Sequence, residues 1–400
     1  MEGPAPCRLD NIGWDMTTFY RPTAFETAAC WLPGLVEPAA PAGAVRRDPL
    51  DELKDAVRRS SDGRPVAVTF SGGRDSSAVL AVATAVSRED GLPDPVPVTF
   101  CYPGVAEADE TDWQERVVAH LGLSTWRRLT VEDENDLLGR EAQASLLRRG
   151  PLFPATMHVK DAMLRGLAGR VVLTGEGGDE VFGDRRARAL LRTARERARP
   201  GTPRRAALGS LLPAPVRRRR EHAEVRRSVA ALPWLTGATG ERLADAIARD
   251  AAAEPLSYAG GLRWVRRRRA GRVFLRTYGQ VAAEHDVVLA HPLLDDGFLR
   301  SLGRRFPWGF TDRTAGMRAV FGPLLPDAVC ARSSKASFNR AYLGSATREF
   351  AARWDGEGVD PELVDVDALR AAWLSGYPPG PTSLLLQQAW LASVGAPVPP

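Results

Sequence analysis

The stretch Val66-Ala-Val-Thr-Phe-Ser-Gly-Gly-Arg-Asp-Ser-Ser-Ala78 holds the residues best spaced to do chemistry. It reads as a buried strand, a tight glycine turn and a helix start. Ser71, Gly72 and Gly73 let backbone N–H groups come close to an anion, because glycine has no Cβ in the way. Ser76 and Ser77 fall in the first helical turn, where unpaired N–H groups and the helix dipole favour negative charge. Asp75 would repel a bare phosphate, but it suits a loop in which a divalent cation stands between carboxylate and phosphate oxygens. The loop is therefore fit for a magnesium-bound polyphosphate. It is not a Walker A loop, because no lysine follows the glycines. Taken alone, a plain serine/glycine turn is the competing account.

A second segment, Val171-Val-Leu-Thr-Gly-Glu-Gly-Gly-Asp-Glu-Val-Phe-Gly183, is again an apolar strand running into a glycine-rich acidic turn. Asp179 can supply the second carboxylate that a phosphate-bound magnesium wants, since Mg2+ takes few protein carboxylates beside phosphate and water. The first loop resembles the pyrophosphate loop of the ATP pyrophosphatases. The second resembles the signature of asparagine synthetases, and together they point to the synthetase domain of the asparagine synthetase and β-lactam synthetase group.

Later segments match in the same order. Glu107–Gly122 resembles the family's acidic stretch and following helix, and His291-Pro-Leu-Leu-Asp-Asp-Gly-Phe-Leu299 its Pro-Phe-Leu-Asp segment. Leu324–Phe338 resembles the segment that carries the family's catalytic lysine, here Lys335. The chain has only three lysines, Lys54, Lys160 and Lys335, among 54 basic residues, so a lysine at that position stands out. An ammonium is a compact charge that can follow negative charge developing on an α-phosphate.

The resemblance implies a mechanism. A substrate carboxylate attacks the α-phosphorus of MgATP, pyrophosphate leaves, and an amine or ammonia displaces AMP from the acyl-adenylate. Ser71, Gly72, Gly73, Asp75, Ser76 and Ser77 would hold the pyrophosphate, with Mg2+ on Asp75 and Asp179. Lys335 would stabilise the transition states, and Glu176 would take a proton from the amine. Val98, Thr174 and Gly175 would frame the adenine. Glu176 follows the asparagine synthetases rather than the β-lactam synthetases, which carry tyrosine there. Val288-Leu-Ala290 stands where asparagine synthetases have Glu-Ala-Arg, which implies a pocket stripped of charged groups and a substrate other than aspartate. The expected activity is an amide-forming ligase of specialised or natural-product biosynthesis, acting on a small-molecule, carrier-bound or peptide acid. A lasso-type peptide macrolactam synthetase is one alternative, and an RNA-modifying ATP pyrophosphatase another.

The elements that must position these residues follow from pattern. Strands are expected at Val66–Phe70, Val96–Phe100, Arg127–Val131 and Arg170–Thr174, between helices at Leu50–Arg59, Ser76–Ser87, Asp112–Leu121, Asn135–Arg148 and Thr156–Leu167. Short apolar strands alternating with helices imply an α/β fold, a parallel twisted sheet with helices on both faces, followed by a mainly helical C-terminal part. The expected division is 1–46 as an extension and linker, 47–190 as the ATP-pyrophosphatase core, 191–240 as an Arg/Pro-rich mobile insert and 241–400 as the helical part. Residues 1–46 are too short for the glutaminase domain of full-length asparagine synthetases and carry Glu2 where that domain has its nucleophilic cysteine, so glutamine hydrolysis is not expected.

Composition sets the outer limits. Four hundred residues can bury a large core, and no apolar run is long enough for a bilayer. The N-terminus lacks a signal-peptide core, and four cysteines without metal spacing fit reduced thiols, so the expected location is cytoplasmic. The net charge of +5 gathers in arginine runs such as Arg217–Arg220 and Arg266–Arg269. These hold few interleaved aromatics, which favours a solvated face over a nucleic-acid surface.

Overall fold

A computed structural model describes residues 18–37, 48–188, 208–334, 336–376 and 378–396. Five short strands, β1 (Val66–Thr69), β2 (Val96–Cys101), β3 (Arg127–Thr130), β4 (Val171–Leu173) and β5 (Val288–Ala290), form one parallel sheet in the order β3-β2-β1-β4-β5. Both faces are covered, so the inner strands are apolar on both sides and alternate between two cores, while the edge strand β3 alternates half-buried with exposed residues. Val66, Val68, Phe70, Val171 and Leu173 face helices Pro49–Ser61 and Arg74–Glu89. Ala67, Val98 and Val172 face Met157, Leu164, Tyr278 and Val281.

Strand order sets the site. The chain builds outward from β1 to β3, then returns to lay β4 on the other edge of β1. The connections after β1 and β4 therefore diverge, leaving a crevice beyond their C-terminal ends, where open α/β sheets bind ligands. Both glycine loops emerge there.

Four sequence expectations need correction. β5 lies in a stretch expected to be helical. It is only three residues long, too short to show against the helices on either side, although Val287-Val-Leu is β-favouring. The helix expected at Asn135–Arg148 begins at Arg140, because Asp136 closes a turn by accepting the Leu138 amide at 3.1 Å. The helix expected at Thr156–Leu167 is a 3-10 turn, Ala155–Val159, and one helical turn, Asp161–Leu164, with Lys160 at their junction. Within the expected mobile insert, Ala214–Val229 is a 16-residue helix started by proline. It packs on Gly237–Ala252 and pairs Arg218 with Asp245 and Arg226 with Glu241, both at 2.5 Å. Arg218, Arg219 and Arg220 lie on its exposed face. Residues 189–207 of that insert lie outside the described residues.

A third core joins the helical part to the N-terminal segment. Phe25 and Leu32 pack with Trp234, Trp373 and Leu384–Leu386, and Arg269 pairs with buried Glu26. Residues 24–36 thus belong to the helical layer rather than standing apart as an extension. Helix Ser383–Ser393 is buried, and Gln387 donates to the carbonyls of Ala155 at 3.1 Å and Leu137 at 3.3 Å. Among the described residues no helix is long and apolar enough to cross a membrane, and Cys30, Cys101 and Cys330 are free thiols.

Candidate active site

A cavity of about 470 Å3 opens beyond β1 and β4. On the β1 side, helix Arg74–Glu89 starts at Gly73 with no side chain capping its first turn, so its amide N–H groups are left for an anion. The loop before it is held by its own hydroxyls. Ser71 and Ser76 Oγ are 3.1 Å apart, and Ser76 Oγ donates to the Gly73 carbonyl at 3.1 Å. Gln114 braces it by donating to the Ser71 carbonyl at 3.1 Å.

The β4 loop packs tightly over this turn, which explains its glycines. A Cβ on Gly175 would lie 2.7 Å from the Ser76 amide nitrogen, and one on Gly178 would lie 2.1 Å from Asp75 Cγ. No side chain fits either place.

This contact brings Asp75 and Asp179 together, and the Arg313 guanidinium bonds both carboxylates. Asp75 Oδ1 is buried with no hydrogen-bond partner. Burial pushes the Asp75 carboxyl above its ordinary value, although Arg313 opposes the rise. A buried carboxylate oxygen without a partner, paired with a second carboxylate, suits a divalent cation. Among the described residues no three acidic, histidine or cysteine side chains form a complete metal cage.

Glu176 lines the cavity, and among the described residues no donor bonds its carboxylate. Burial raises its pKa; Lys160 opposes this, while Glu180, Asp75 and Asp179 add to it. Of the other expected site residues, Ser71, Gly73, Asp75, Ser76, Gly175 and Asp179 line the cavity. Gly72, Ser77, Val98 and Thr174 do not. Ser77 and Val98 are fully buried, Val98 in the core beneath the sheet, and Phe100 is the β2 residue that reaches the cavity. Thr174 Oγ1 is spent on His291 Nδ1 at 2.7 Å. Burial depresses His291 to about 4, so its ring is neutral there. Lys335 lies outside the described residues; its neighbours Ser334 and Ala336 line the cavity.

Arg332 straps the Leu324–Phe338 segment to the phosphate loop. It donates to the Gly72 carbonyl at 2.7 Å, pairs with buried Glu110, and lies over the Trp113 ring at 4.8 Å. The Ser337 amide donates to the Glu107 carbonyl at 2.8 Å. The acidic stretch 107–110 therefore anchors this strap.

Val288–Ala290 does not line the cavity, so it says nothing about the charge of the pocket. Sequence reasoning passed over the cavity residues Lys160, Arg313 and Arg332. The scarcity of lysine, which singled out Lys335, applied equally to Lys160. Arg313 carried no such mark in an arginine-rich chain.

Comparison with curated proteins gives no match. The family model for asparagine synthase matches residues 50–391, which spans both glycine loops, the crevice and the helical part packed on it. The chain belongs to the asparagine synthase family.

Proposed function

We propose that this member of a family of ATP-dependent carbon–nitrogen ligases activates a carboxylic acid as its acyl-adenylate and transfers the acyl group to an amine or ammonia. The observation that carries this reading is the pairing of Asp75 and Asp179 in front of an uncapped helix start, with the unbonded Glu176 carboxylate in the same cavity. In the first step a carboxylate oxygen bonds to the α-phosphorus of ATP, the bond to the β-phosphate oxygen breaks, and pyrophosphate leaves. The Ser71–Ser76 loop receives it through backbone N–H groups and hydroxyls. Asp75 and Asp179 would hold Mg2+, which supplies charge neutralisation of the phosphates.

In the second step the amine nitrogen bonds to the acyl carbon and AMP leaves. Glu176 takes the proton that the nitrogen gives up, and its raised pKa makes it a better acceptor than an ordinary surface carboxylate. Lys335, from its place in the family motif, carries the stabilisation of charge on the α-phosphate. The acid is a small-molecule, carrier-bound or peptide carboxylate, in the setting of specialised biosynthesis.

The test is nucleotide product analysis with MgATP, pooled carboxylates and hydroxylamine as trap. Acid-dependent AMP and pyrophosphate with a hydroxamate are expected. ADP in place of AMP overturns the reading.

A further inference from the structure

Four described cations line the cavity: Arg74, Lys160, Arg313 and Arg332. Arg313 is taken by Asp75 and Asp179, Arg332 by Glu110 and Gly72, and Arg74 donates to Thr314 Oγ1 at 3.4 Å. The Lys160 ammonium alone among these side chains has neither an ion pair nor a hydrogen bond with a described residue. Its ammonium lies 5.4 Å from the centre of the Tyr278 ring. Burial by itself would depress its pKa, but Tyr278, Tyr342 and Glu176 outweigh that and hold it charged. The junction between the 3-10 turn and the helix Asp161–Leu164 fixes its backbone.

The surroundings of Lys160 are aromatic. Tyr342 lies next to Tyr102, whose hydroxyl accepts from Asn135 Nδ2 at 2.7 Å, and the Tyr102 ring packs against Phe338 at 5.5 Å. An ammonium with no hydrogen-bonded partner leaves its N–H donors open to an incoming anion. A lysine serves here because its slim stem fits between rings where a guanidinium fork would need more acceptors.

We infer that Lys160 is the anion receptor of this site and binds the carboxylate of an acid with a planar, apolar body, which the rings of Tyr102, Tyr278, Phe338 and Tyr342 enclose. The inference rests on the ligase reading and names the substrate class for it. One set of open ammonium N–H donors matches one carboxylate. A small dicarboxylate such as succinate would leave its second charge against the rings.

The chain's three lysines make a direct test practical. The full chain is labelled with 15N-lysine, and Lys160→Met identifies the Lys160 ammonium signal. Benzoate and cinnamate are titrated against succinate and aspartate. Saturable shifts of the Lys160 signal with the aryl acids, at least tenfold weaker with succinate and aspartate, are expected. The same acids are then compared in AMP release by wild type, Lys160→Met and Lys160→Arg, after circular dichroism shows each variant folded. Lys160→Met should raise the half-saturating acid concentration at least tenfold while leaving that for ATP unchanged, with partial recovery in Lys160→Arg. A Lys160 signal that ignores every acid, or that prefers succinate or aspartate, overturns the inference. ADP formation alongside aryl-acid shifts would instead sink the ligase reading and leave the receptor standing.

Discussion

Replacing Arg332 with methionine tests how the strap over the phosphate loop is held. The Arg332 and Glu110 side chains are only 2% and 9% exposed, so their pairing is made away from water. Methionine keeps most of the length and apolar contact against Trp113 but removes the charge. It leaves the Glu110 carboxylate buried without its cation and the Gly72 carbonyl without its donor. Stranding one partner of a buried pair costs about 3–5 kcal/mol. Neutralising the stranded partner should recover part of this, so Glu110→Gln/Arg332→Met should be about 1–3 kcal/mol more stable than Arg332→Met alone. Urea unfolding of the four proteins of the cycle gives these differences directly. Because Gly72 lies in the phosphate loop, ATP affinity should fall in Arg332→Met at urea concentrations where the protein is still folded. An Arg332→Met protein within 1 kcal/mol of wild type, or a double variant no more stable than the single, would refute the argument.

Gly178→Ala should push Asp75 aside, since the new Cβ would lie 2.1 Å from its Cγ. Calorimetric titration with MgATP should show binding at least tenfold weaker while circular dichroism is unchanged. Asp179→Asn should alter stability by no more than about 0.5 kcal/mol, because Asp179 is 55% exposed. It should nevertheless raise the Mg2+ concentration needed for half-maximal AMP release. His291 titrates near 4 when folded, against 6.5 as its ordinary value. The folded state therefore binds fewer protons than the unfolded state across that window, and stability should fall as pH drops from about 6.5 towards 4. The loss is up to about 3 kcal/mol, and His291→Gln should flatten this slope in urea melts at pH 4.5, 5.5 and 7. Equal slopes in the two proteins would argue against it.

Much of the site was legible before any coordinates because its chemistry is local in sequence. The turn Ser71–Gly73, the helix start at Arg74 and the glycines of Gly175–Gly178 each announce a backbone that must come close to something. Strands β1, β2 and β4 were readable as apolar runs, since a parallel sheet buried on both faces needs them, whereas the edge strand β3 carries Arg127, Arg128 and Thr130. What it lies against decides the rest. Val98 is as apolar as an adenine-framing residue should be, yet it sits in the middle of β2 and packs into the core, whereas Phe100, on the same face two residues nearer the C-terminal end of the strand, reaches the cavity. β5 became a strand only because β4 offered it an edge, which three residues cannot declare for themselves. Arg313 and Arg332 were indistinguishable from the other arginines until folding set them against Asp75, Asp179 and Glu110. Lys160 gained its meaning in the same way. Its rarity was written in the sequence, but its lack of a bonded partner is a property of the cavity, because whether a charge is satisfied depends on every side chain that the fold brings within reach.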